Sequence, residues 1–183
     1  MANMEPDDDE FGMIEPLISH LEVEHHLIEF GQALMRGPSS LTVTERELIA
    51  TYVSAANQCP SCAKSHEAAA RQLLRDEWEL VSEILEDVQT ARISERLRML
   101  LLIAEKVRRD SQVVTNEDVL RARQAGADDS AIHDTILIAS MFCMFNRYVE
   151  GLAAWTPKEA VLSAQLAERL ATRDRGSRLR GFA

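Results

Sequence analysis

A chain of 183 residues is long enough for one domain with a real core, burying about 70% of the surface its unfolded form exposes. A net charge of −10 and a pI near 5.0 provide no basic face to displace counterions from nucleic acid. An aromatic content of 5% gives no platform for stacking bases, so nucleic acid is excluded as a partner.

The first residues are acidic, with Asp7, Asp8, Asp9 and Glu10 in a row, and residues 1–14 read as a flexible acidic segment. A secretory leader needs a basic start and an apolar run, and neither is present. The longest nearly uncharged apolar stretch runs from Thr135 to Phe145, short of the roughly 18 residues a membrane span requires. Three cysteines without an export signal do not make a structural disulfide framework. The expectation is a cytoplasmic protein with no membrane partner, whose paired cysteines are reactive.

Helical periodicity dominates the rest, and strand signals are nearly absent. Helices are expected over 16–35, 43–57, 60–74, 77–88, 95–109, 116–125, 130–150 and 158–172. The first carries His25 and His26 beside Leu27 and Phe30, where a packing or surface role fits the two imidazoles, and it stops at Gly37-Pro38. Thr42 with Glu45 three residues on reads as a capping box opening the second; Ser94 before Glu95 and Thr115 before Asp118 open two others. Gly126 and Gly151 read as stops.

Between the second and third helices lies the most informative stretch, Cys59-Pro60-Ser61-Cys62-Ala63-Lys64-Ser65-His66. Proline is favoured at the first helical position, which makes Cys59 the N-cap and Cys62 the third helical residue. Unpaired backbone N–H groups and the positive dipole end surround both sulfurs and lower a thiol below its free value of about 8.5. His66 lies four residues after Cys62, one turn on along the same face, where a neutral imidazole accepts a thiol proton or pairs with the thiolate. Glu47 precedes Cys59 with eleven residues between them. It is too late for the cap that Glu45 fills, so it is either a solvated helix carboxylate or a group facing the CxxC turn to orient His66.

Val81, Ile84, Leu85 and Val88, then Leu97, Leu100, Leu101 and Ala104, repeat at helical spacing. From Ala131 to Val149 the sequence is apolar on nearly every side, with Ile132, Ile136, Leu137, Ile138, Met141, Phe142 and Phe145. A helix of that kind must be surrounded, so it is taken as the central element and as a subunit interface. The last stretch, 173–183, carries Arg173, Arg175, Arg178 and Arg180 among Gly and Ser and reads as a flexible basic tail.

Glu47, Cys59, Cys62 and His66 match, at each spacing, the pattern of the alkylhydroperoxidase D (AhpD)/carboxymuconolactone decarboxylase superfamily: a glutamate, eleven residues, then Cys-x-x-Cys-x-x-x-His at a helix start. The text from Leu41 to Ala70 closely resembles that family, including Ser54 and Asn57. Phe142-Cys143-Met144-Phe145-Asn146-Arg147 resembles the Phe-Asn-x-x-Asn-Arg that its peroxidase-related branch often carries on the central helix. The resemblance implies an all-α, AhpD-like helical bundle built around a central apolar helix, occupying residues 15–172. It also implies a homo-oligomer, a trimer or a multiple of one. This chain departs from AhpD in having Ser61 where a histidine lies between the cysteines, and Cys143 where the branch often has Asn. A hydroxyl cannot serve as a base, and Cys143 reads as a small core hydrophobe.

The resemblance implies a thiol-dependent hydroperoxide reductase with Cys62, Cys59, His66 and Glu47 as its catalytic set. One thiolate attacks the peroxide and the other thiol closes a disulfide; an external dithiol or thioredoxin-like partner then reduces it. The helix-capping position favours Cys59 as the attacking sulfur, whereas proximity to His66 and the resemblance both favour Cys62, with Cys59 resolving; Cys62 is taken as the nucleophile. The same residues also suit a thiol–disulfide relay or redox switch that never meets peroxide. A zinc-stabilised module is a third reading, weakened because no second CxxC or spaced His pair exists. No Gly-rich phosphate loop or dinucleotide fingerprint occurs, so no cofactor and no metal are expected.

Overall fold

The computed structural model describes residues 21–151. These form seven α-helices: α1 (Leu21–Arg36), α2 (Val43–Ala56), α3 (Pro60–Leu74), α4 (Leu80–Glu86), α5 (Glu95–Asp110), α6 (Asn116–Gln124) and α7 (Asp129–Gly151). Short 3₁₀ turns at Arg75–Glu77 and Ser111–Val113 complete them, and no strand occurs among the described residues. The all-α expectation is met. The acidic segment 1–14, the helix expected over 158–172 and the tail 173–183 lie outside the described residues.

Helix starts follow the capping chemistry. Thr42 and Glu45 form a full capping box at α2, and Thr115 with Asp118 does the same at α6; Ser94 accepts from the backbone of Leu97 at α5. The shortfall is at α4, which is shorter than the expected 77–88. Arg75 turns into the left-handed region at φ 53°, the 3₁₀ turn consumes the next residues, and Asp87 ends the helix extended, its carboxylate accepting from the Gln89 N–H at 2.8 Å.

The core is one apolar cluster drawing on Ile49, Ala50 and Val53 of α2, Val81 and Ile84 of α4, Leu100, Leu101 and Ile103 of α5, and Ile138 and Phe142 of α7. As expected, α7 is central: it packs against α5, α2, α1 and α6. It shares that position with α2, which meets α1, α3, α4, α5 and α7. One edge of α7 stays open along Ser140, Met144 and Arg147.

The turn from α2 into α3 places the cysteines. Gln58 adopts the left-handed conformation (φ 59°), and the Gln58 and Cys59 N–H groups bond back to the carbonyls of Ala55 and Ser54 at 3.0 and 3.1 Å. That is a Schellman closure, and its last residue is at once the N-cap of α3, with Pro60 in the first turn. Two antiparallel helices are thereby joined so tightly that the second turn of α2 faces the second turn of α3.

Candidate active site

Glu47, fully buried on α2, is the hub. Its Oε2 lies 2.7 Å from Nδ1 of His66 on α3, and its Oε1 is paired with the guanidinium of Arg36 at the end of α1. His66 is only 12% exposed. Its ring is wedged edge-on against Phe142 of α7, with centroids 4.6 Å apart and planes at 85°. Burial pushes the Glu47 carboxyl up, but the charges and hydrogen bonds of His66 and Arg36 outweigh it and hold the group below the usual carboxylate range. An ionised Glu47 accepts the Nδ1 proton and leaves Nε2 as the basic nitrogen.

A stability dependence follows from that depressed carboxyl. Its contribution is present above the unfolded glutamate range and is lost as pH falls through the lower native value. Glu47→Gln is therefore expected to lower stability at neutral pH and to flatten the acid limb of a melting-temperature profile. An acid limb identical to wild type would show that Glu47 carries no such linkage.

The sulfurs of Cys59 and Cys62 are both buried and in direct contact. Val149 of α7 packs over them. Cys59 is drawn down to about 7, chiefly by hydrogen bonding from Cys62, against an opposing burial effect. The Cys62 backbone N–H and the Ser61 hydroxyl add to the lowering, and Glu150 opposes it. Cys62 is pushed well above the ordinary thiol range by its bond to Cys59, by burial and by the Cys59 charge. The pair therefore gives up one proton near neutrality and retains the second, whose loss would set two negative charges in contact.

Two donors favour charge on Cys62, namely the Asn146 carboxamide and the Ser61 hydroxyl. Asn146 is itself fixed: its Oδ1 accepts from Asn57 Nδ2 at 2.9 Å and its Nδ2 donates to Ser54 Oγ at 3.1 Å. Cys143 packs against the core as expected, and Asn57 Nδ2 also approaches its sulfur at 3.6 Å. Ser61 takes no base role; it stands 3.7 Å from the Cys59 sulfur and hydrogen-bonds both thiols.

The four residues singled out in the sequence thus fall into two adjacent units, the Glu47–His66 pair and the Cys59–Cys62 pair. Among the described residues no hydrogen bond joins the imidazole directly to either sulfur. Arg36 and Asn146 escaped sequence reasoning as site residues. Arg36 drew no reading from the sequence, and Asn146 appeared in a motif without a role. The only signal for them was their polar character on helices bound to be buried.

His25 and His133 are surface groups beside Glu29 and Asp134; His20 lies outside the described residues. Among the described residues no three His, Cys, Asp or Glu side chains converge as a metal site, and no helix is long and apolar enough to cross a membrane.

Residues 22–106 match the sequence model of the carboxymuconolactone decarboxylase family. No curated protein matches the chain. A peroxidase-related protein of Silicibacter sp. TM1040, itself uncharacterized, is similar at 30% identity over 78% of this chain and 73% of that one, with a TM-score of 0.70. The alkylhydroperoxidase AhpD core of a peroxidase-related protein from Ralstonia eutropha JMP134 shares the fold, with a TM-score of 0.75 and 24% identity over 87% of this chain and 80% of that one. The chain belongs to the AhpD-like carboxymuconolactone decarboxylase superfamily.

Proposed function

We propose that the protein is a thiol-dependent reductase of organic hydroperoxides. The observation carrying this reading is a buried pair of cysteine sulfurs in contact at a helix start, next to a carboxylate–imidazole pair. In the proposed cycle the proton between the sulfurs shifts so that Cys62 carries the charge, where Asn146 and Ser61 hydrogen-bond it. Its sulfur attacks the distal oxygen of ROOH, the O–O bond breaks, and Cys62 becomes a sulfenic acid. The leaving alkoxide takes the proton that the dithiol gave up on ionising, held meanwhile on Nε2 of His66, and departs as an alcohol. The Cys59 sulfur then displaces hydroxide, which leaves as water, and a Cys59–Cys62 disulfide forms.

Two electrons must return from outside, and an external dithiol or thioredoxin-like protein supplies them by exchange. The open edge of α7 and the exposed Phe30 and Met144 support assembly into a homo-oligomer, a trimer or a multiple of one. The reading is tested by intact-mass analysis of the reduced chain after one equivalent of organic hydroperoxide. A loss of two hydrogen atoms, assigned to Cys59–Cys62 and restored by a dithiol, is the expected result. Intermolecular dimers alone, or a bridge to Cys143, would count against it.

A further inference from the structure

Arg36 is out of place for a residue with no part in the site. It closes α1, yet only 12% of its side chain is exposed, and it meets the fully buried Glu47 on the oxygen that His66 does not use. Its placement is built, not incidental. A second Arg36 nitrogen donates to the Met35 carbonyl at 2.9 Å. Arg46 of α2 grips the same helix end, donating to the carbonyls of Leu34 and Gly37 at 3.0 and 2.9 Å. A Cβ at Gly37 would collide with the Ala33 carbonyl, so the tight exit that leaves room for this clamp needs glycine.

The charge arithmetic of the buried cluster gives Arg36 its role. Among the described residues, the charged and titratable groups facing Glu47 are Arg36 from α1 and His66 from α3; α7 contributes the uncharged Phe142 ring against the imidazole. Arg36 and ionised Glu47 sum to zero, so a neutral His66 completes a cluster with no net charge. Without Arg36 the same cluster would hold an uncompensated buried anion, which is costly. The cheapest remedy is one more proton, either on the carboxyl or on the imidazole. If it goes to the imidazole, Nε2 is protonated. If it goes to the carboxyl, Glu47 donates to Nδ1 and the remaining ring proton sits on Nε2. Both outcomes remove the basic nitrogen that the relay uses.

We propose that Arg36 is a positioning residue of the proton relay: by offsetting the charge of Glu47 it keeps the Glu47–His66 pair one proton short, so that Nε2 of His66 is free to accept. The inference rests on the relay described above, but its test involves no peroxide. The full chain labelled with ¹⁵N-histidine is titrated by NMR, with the His66 ring signals identified by their loss in His66→Gln. In Arg36→Met the His66 ring is expected to take up its second proton at a pH roughly one unit higher than in wild type, a tenfold gain in proton affinity. Arg36→Lys, which keeps the charge, should titrate near wild type.

Glu47→Gln supplies the opposite arm and keeps the test alive should Arg36→Met not fold. There His66 faces an uncompensated cation, and its uptake must move to lower pH. In Arg36→Met, a ring that neither takes up its second proton at higher pH nor moves its remaining proton from Nδ1 to Nε2 would reduce Arg36 to a structural clamp. So would an unmoved ring in Glu47→Gln, since the pair would then not sense the charge at Glu47. A correct titration in a protein that does not reduce hydroperoxides would instead overturn the peroxidase reading and leave the role of Arg36 intact.

Discussion

Cys62→Ser is expected to lose the fast reaction with hydroperoxide altogether, whereas Cys59→Ser should still consume one equivalent and stop at a sulfenic acid on Cys62. The asymmetry comes from what surrounds each sulfur. The two sulfurs are in contact, so the one proton left on the ionised pair can sit on either and the other holds the charge. Glu150 opposes charge on Cys59, while Asn146 and Ser61 support it on Cys62. Cys62 also lies one turn from His66, the group that returns a proton to the leaving alkoxide. Neither variant turns over, because no disulfide can close. Single-turnover peroxide consumption, with the sulfenic acid trapped by a dimedone-type reagent, separates them. Rapid consumption surviving in Cys62→Ser would transfer the nucleophile to Cys59 and leave the dithiol cycle standing.

His66→Ala is expected to slow peroxide attack by roughly 10²–10⁴-fold, the usual worth of a positioned general acid–base group. Glu47→Gln should cost less, since the carboxylate acts only through the imidazole it holds at 2.7 Å. The neutral amide still offers an acceptor oxygen to Nδ1, but it gives up the charge that makes Nε2 basic. Stopped-flow rates should therefore fall in the order wild type, Glu47→Gln, His66→Ala. Near-wild-type rates in both variants would return these residues to ordinary helix packing.

Much of the site was legible because its chemistry is local. Pro60 reports the first turn of α3, and Cys59, Cys62 and His66 follow from it by helical spacing. Thr42 and Glu45 mark the start of α2 and so fix how far Glu47 stands from the CxxC turn. The choice between a solvated and a buried Glu47 was not local. It depended on α1 bringing Arg36 and α3 bringing His66 to a carboxylate that is fully buried. Asn146 is a similar case: eighty-four residues separate it from Cys62 in sequence, and only the packing of α7 across the α2–α3 turn unites them. The length of α4 was misjudged because Arg75 carries no sequence sign of its left-handed turn.

The absence of a direct bond between His66 and either sulfur has a chemical consequence. A proton passing between them needs an intervening water or a rotamer change, and relay through water is compatible with general acid–base catalysis. The buried state of both sulfurs likewise means that peroxide must reach them past the Val149 cover.

The central claim is that the dithiol meets hydroperoxide itself. Steady-state turnover of an organic hydroperoxide, driven by an external dithiol and followed as alcohol formed, tests it most directly. Sustained turnover that disappears in Cys62→Ser is the predicted result. Slow oxidation indifferent to the peroxide offered, alongside rapid thiol–disulfide exchange with the same dithiol, would contradict it and mark the protein as a relay of electrons between thiols.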